Sequence, residues 1–188
     1  MIKSLILRRG FEGCQKINRR QTMSRSFQVE MGGPDIVVAT GDGLTISQIL
    51  GVLKADRCGG ITIDPQVADL PVRPGPVRHF RVSRKRLPSG STTTLAEVWA
   101  SLKDNELEHI SYEIALRWFL ASSSQHLYEG YGNQGRISVL PPTPIEVNGR
   151  PQHMLFTRGG DGPRIYLFDA RLDSPPQGDF LTAWDIMG

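Results

Sequence analysis

From Leu107 to Ala121 the chain places Leu107, Ile110, Ile114, Leu116, Trp118, Phe119 and Leu120 on almost every side of a helical repeat. A helix that is apolar all round has no face to offer to water, so it has to be buried by the rest of the chain. The spacing makes it the central core element. Arg117 within it reads as a paired or snorkelling side chain. A second helix precedes it. Thr94 and Glu97 have the spacing of a capping box, and Leu95, Val98, Trp99 and Leu102 form the stripe behind. The polar run Lys103-Asp104-Asn105 separates the two helices.

In front of both lies an alternating basic segment, Val77 to Leu87. Val77, His79, Arg81 and Ser83 share one face, and Arg78, Phe80, Val82 and Arg84 share the other. Neither face is purely apolar, which predicts an edge strand whose charges discourage aggregation.

The N-terminal third reads as a small β-helix-β unit over residues 29–70. Ile36-Val37-Val38-Ala39 predicts a short buried strand. Thr45 with Gln48 predicts a capped helix striped by Ile46, Ile49, Leu50 and Leu53, and Ile61-Thr62-Ile63 a second strand. The turn Gly41-Asp42-Gly43 lacks both the third glycine of a dinucleotide fingerprint and a Gly-Lys-Ser/Thr ending, so it reads as a tight turn feeding a helix cap. Residues 65–76 hold four prolines and read as a linker. The main domain, 77–188, continues with strands at Arg136–Leu140, Ile145–Val147, Pro151–Phe156 (after an Asn148-Gly149 turn) and Pro163–Arg171. Phe180 to Ile186 reads as a short helical turn packed on the sheet. The predicted class is α+β, an antiparallel sheet against two central helices with the small N-terminal unit attached.

Charge is unevenly spread. Residues 1–28 hold seven basic groups against one acid, and residues 71–90 hold six against none. The net charge of +3 therefore hides an acidic body with two basic pieces. Concentrated positive charge favours anionic partners, either an acidic membrane surface or nucleic acid. The candidate anion-binding residues are Lys3, Arg8, Arg9, Lys16, Arg19 and Arg20 in a flexible N-terminal arm (1–28), with Arg78, Arg81, Arg84, Lys85 and Arg86 in the basic strand. Phe80 and His79 are placed to stack on bases. The arm suits a mitochondrial transit peptide or a basic amphipathic segment, and Met23 is an alternative start.

No run approaches the roughly 18 to 20 apolar residues that span a bilayer. Cys14 and Cys58 show no zinc spacing. His79, His109, His126 and His153 form no His-x-x-x-His pair, and Ser122-Ser123-Ser124 lacks a nucleophile elbow. A sheet could bring His153 and Asp169 together, as it could any Asp and His in a small domain. No cofactor, metal or small-molecule substrate is indicated.

From the basic strand onward the chain resembles the matrix proteins of rhabdoviruses. The shared order is strand (His79–Arg86), short helix with an aromatic (Thr94–Leu102), apolar helix ending in small residues (Ile110–Ser124), then strands from Arg136. The run Arg164-Ile165-Tyr166-Leu167-Phe168-Asp169-Ala170-Arg171-Leu172-Asp173, followed by Trp184-Asp185, resembles their last strand and a following Trp-Asp. The likeness spans about residues 77–186. The Pro-Pro-x-Tyr motif frequent in that family is missing, and Ile36–Ile63 has no counterpart there. The resemblance implies a non-enzymatic, self-associating layer protein joining an acidic membrane inner face to a ribonucleoprotein, intracellular or inside a virion. A nucleic-acid-binding accessory protein using strand 77–87 and an organelle-targeted enzyme with a dispersed site are the alternatives.

Overall fold

The computed structural model describes residues 30–56, 60–72, 75–104, 110–122, 135–142, 144–159, 161–176 and 178–186. Nine strands join one sheet: β1 (Glu30–Met31), β2 (Ile36–Thr40), β3 (Thr62–Ile63), β4 (Arg78–Arg86), β5 (Arg136–Val139), β6 (Ile145–Val147), β7 (Arg150–Gly159), β8 (Gly162–Asp169) and β9 (Asp179–Asp185). Among the described residues three α-helices accompany it, α1 (Ile46–Asp56), α2 (Leu95–Asp104) and α3 (Tyr112–Ala121). The fold is α+β, as expected.

Local chemistry sets the helix starts. Thr45 N donates to Gln48 Oε1 at 2.8 Å and Gln48 N to Thr45 Oγ1 at 3.2 Å, closing the capping box of α1. Thr94 N donates to Glu97 Oε2 at 2.7 Å and Glu97 N to Thr94 Oγ1 at 3.3 Å, doing the same for α2. The next two amides of α2, at Leu95 and Ala96, donate to Ser174 O and Leu172 O, so the loop before β9 satisfies donors the helix leaves open. Thr94→Ala is expected to cost about 1 kcal/mol, read as a lower urea midpoint at unchanged slope.

The predicted Asn-Gly hairpin is present. Asn148 and Gly149 have φ of 52° and 71°, the left-handed pair of a type I′ turn joining β6 to β7.

The sheet runs β1-β4-β9-β5-β7-β8-β3, with β2 also on β4 and β6 also on β7. Most pairings are antiparallel. Two are parallel, β5 with β9 and β3 with β8. The β2–α1–β3 run has its two strands on different partners, β2 on β4 and β3 on β8. The prolines after it do not exclude helix: Pro65 sits in the first turn of a 3-10 helix, Pro65–Asp69, capped by Asp64, where its missing N–H costs nothing.

Strand parity separates two cores. Val82, Leu181, Ile137, Phe156 and Ile165 face one side, where α1 and α3 supply Ile49, Leu53, Ile114, Phe119 and others. Leu140 and Phe180 face the other side and meet Leu95, Val98 and Leu102 of α2. The two central helices thus lie on opposite faces of the sheet. α3 is buried as its composition requires, with the Phe119 ring tilted against Phe156 at 4.7 Å between centroids.

Two sequence expectations give way here. The segment expected to be an edge strand, β4, is interior, with β1 and β2 along one side and β9 along the other. The segment expected to be a helical turn is β9, a strand between β4 and β5. Both faces of β9 are covered, so it carries no two-residue alternation to betray it.

Candidate functional site

The predicted basic strand buries two of its five cations and leaves Arg81 exposed and Arg78 and Arg86 half-buried. Arg84 and Lys85 are 5% and 2% exposed. Arg84 Nε lies 3.2 Å from Asp179 Oδ2 and donates to the Gly32 carbonyl at 2.7 Å. Arg86 Nε lies 3.1 Å from Asp179 Oδ1. Gly32 is needed for this cluster, because a Cβ there would meet both Asp179 and Arg84. Lys85 reaches Met31 Sδ at 3.0 Å and sits 5.3 Å over the Trp184 ring. Burial lowers its pKa, and the nearby Asp35 carboxylate opposes that shift. Arg78 Nε donates to Asp185 Oδ2 at 2.6 Å. Arg81 alone of the five is classed as exposed. Phe80 is buried at 1% and is closed to a stacking base. Acids distant in sequence pair with Arg78, Arg84 and Arg86, and of these three only Arg84 is buried.

Lys3, Arg8, Arg9, Lys16, Arg19 and Arg20 fall outside the described residues, as do Cys14, Cys58, His109 and His126. His153 and Asp169 do not meet. His153 is opposite Phe168, and Asp169 is opposite Gln152, so the two side chains point to opposite faces. Arg117 is paired as expected, with Glu113 at 3.0 Å and with Asp42 through Nη1 at 2.8 Å. The Arg117 hydrogen bonds hold the Asp42 carboxyl below its ordinary range.

A different basic cluster emerges at the far end of the sheet. Arg136 of β5 is in register with Thr157 of β7, Thr157 with Arg164 of β8, and Arg164 with Thr62 of β3. In-register neighbours share a face, and strands lie about 4.8 Å apart, so the two arginines of this row are separated by roughly 10 Å at their Cα atoms. The row borders a cleft of about 560 Å³, to which Asp64, Arg158 and Tyr166 also contribute. Gly159 makes room for one of these arginines: a Cβ there would lie 2.6 Å from Arg164 Nε. Arg164 Nη2 is held by Asp161 at 2.9 Å. Its Nε is buried without a hydrogen-bond partner among the described residues.

The same face continues along β8. Arg164, Tyr166 and Phe168 alternate on one side, all half-buried, and the Tyr166 and Phe168 rings meet edge to face at 6.2 Å. α2 covers the β5–β9 part of this face through Leu140 and Phe180. Positive charge beside partly open aromatic rings suits anions that carry flat apolar groups.

The sequence places Tyr166 and Phe168 within one predicted strand but gives them no binding role. It had no means to place Arg136 beside Arg164, because that neighbourhood depends on register across three strands. No helix among the described residues is long and apolar enough to cross a membrane. Comparison with protein-family models, with curated proteins and with solved structures gave no match.

Proposed function

We propose that this chain is a binding protein for single-stranded nucleic acid, engaged through the β5–β7–β8 face. The observation that supports it most is the alternation of Arg164, Tyr166 and Phe168 on one half-open side of β8, with Arg136 two strands away in the same row. Arginines meet phosphates, while aromatic faces accept bases of any identity. The reading keeps the nucleic-acid partner inferred from composition and moves its seat from β4 to the other end of the sheet.

The test is fluorescence anisotropy of the full chain with a labelled single-stranded RNA across a salt series. Affinity is expected to fall steeply as salt rises. Tyr166→Ala should weaken binding by about tenfold, in line with the loss of one stacking contact. Salt-independent binding, or a Tyr166→Ala variant that binds as well as the parent, would overturn the reading.

A second reading keeps the matrix-like role, with attachment to an acidic membrane and self-association. It is favoured by the seven basic groups set against one acid in residues 1–28. Each basic group near such a surface contributes about 1 kcal/mol, so the arm would attach reversibly and salt-sensitively. Sedimentation with phosphatidylserine vesicles, with and without residues 1–28, separates it from the first.

A further inference from the structure

We infer that the cleft at the β3–β8 end takes one nucleoside phosphate unit, its phosphate between Arg136 and Arg164 and its base against Tyr166. This rests on the nucleic-acid reading above and specifies which part of the ligand enters. The chemistry of the walls carries it. Arg136 and Arg164 flank Thr157 in one row, and all three line the cleft. Guanidinium groups match phosphate oxygens in pairs. Arg164 is already fixed at one end by Asp161, and its buried Nε, which has no hydrogen-bond partner among the described residues, is a donor that an anionic oxygen would satisfy.

The rest of the cleft suits the remainder of a nucleoside. Tyr166 supplies a ring. Asp64 also lines the cleft; its Oδ1 caps the 3-10 turn by accepting from Gln66 N at 3.0 Å, and a carboxylate there suits a sugar hydroxyl or base amine as donor. A carboxylate in the wall would repel a ligand that was anionic throughout, so the anion has to be confined to one end. The volume of about 560 Å³ falls in the range of small-ligand sites, roughly 300–1,000 Å³. The ligand chemistry is the same whether the unit is a free nucleotide or one residue of a strand.

Isothermal titration of the full chain with adenosine 5′-monophosphate, adenosine and inorganic phosphate tests it, beside the labelled RNA. The monophosphate is expected to bind, adenosine at least about tenfold more weakly for want of the charged contacts, and the monophosphate should displace RNA. Gly159→Ala pushes the Arg164 guanidinium aside without changing net charge, and should weaken both ligands by about tenfold if a charge-assisted contact is lost. Arg164→Gln serves as the second variant, with circular dichroism confirming the fold of each. RNA bound at least about tenfold more tightly than the monophosphate identifies a strand as the natural source; equal affinities identify a free nucleotide. If RNA binds while the monophosphate neither binds nor competes, this inference fails and the nucleic-acid reading stands. If neither RNA nor monophosphate binds, both fail.

Discussion

Asp179→Ala is expected to destabilise the protein by about 3–5 kcal/mol, the usual consequence of removing one partner from a buried ion pair. Asp179 is 1% exposed and its carboxylate faces both Arg84 and Arg86. Arg86 is open enough to turn to water. Arg84 is not, and its charge would stay buried without the Asp179 carboxylate. Total stabilities run at about 5–15 kcal/mol, so such a loss would move the urea midpoint by a large fraction of its value. The mechanism has its own control. Replacing both members, Asp179→Leu with Arg84→Met, removes the uncompensated charge together with its partner. The double variant should therefore recover most of the stability that the single variant loses. A single-variant loss below about 1 kcal/mol would show that the cluster is solvated and contributes little.

His153 should make the fold acid-sensitive. Its imidazole is buried, neither ring nitrogen has a hydrogen-bond partner among the described residues, and its nearest aromatic neighbour is Phe168 at 6.1 Å. Burial pushes its pKa down to about 4, against about 6.5 in an unfolded chain. The native state therefore excludes a proton that the unfolded chain accepts. The contribution is fully present above about pH 6.5, declines as pH falls through the window to about 4, and does not change further below it. The span of roughly 2.5 pKa units corresponds to about 3 kcal/mol. His153→Leu should flatten the difference in unfolding free energy between pH 7 and pH 4 by about that amount. An unchanged pH profile in the variant would place the acid sensitivity elsewhere, for example in Asp42, whose lowered pKa also loses stability as pH falls.

Residues acting over short range told their own story in the sequence. Thr45 with Gln48 and Thr94 with Glu97 announced helix starts, because a capping box needs only four consecutive residues. Asn148-Gly149 announced a hairpin, because only such residues enter the left-handed region without strain. The all-round apolar surface of α3 announced burial, and these signals together determined the α+β class and most of the element order.

Tertiary structure decided the rest. The cations of β4 looked like surface because a cation without a near acid in sequence ordinarily belongs there. Asp179 and Asp185 lie about a hundred residues away, and only the β4–β9 pairing brings them alongside. β9 was missed for the reason that makes it central: with both faces covered, its apolar residues need not alternate. The Arg136–Thr157–Arg164 row arises because β5, β7 and β8 meet in one particular register, and a slip of one residue would turn each side chain to the opposite face. The sequence by itself determined where most of the elements lie and how many cations the chain carries. The pairing of strands decided which of those cations are spent on the interior and which stand together at a cleft, because hydrogen-bond register acts between residues whose separation along the chain leaves no local trace.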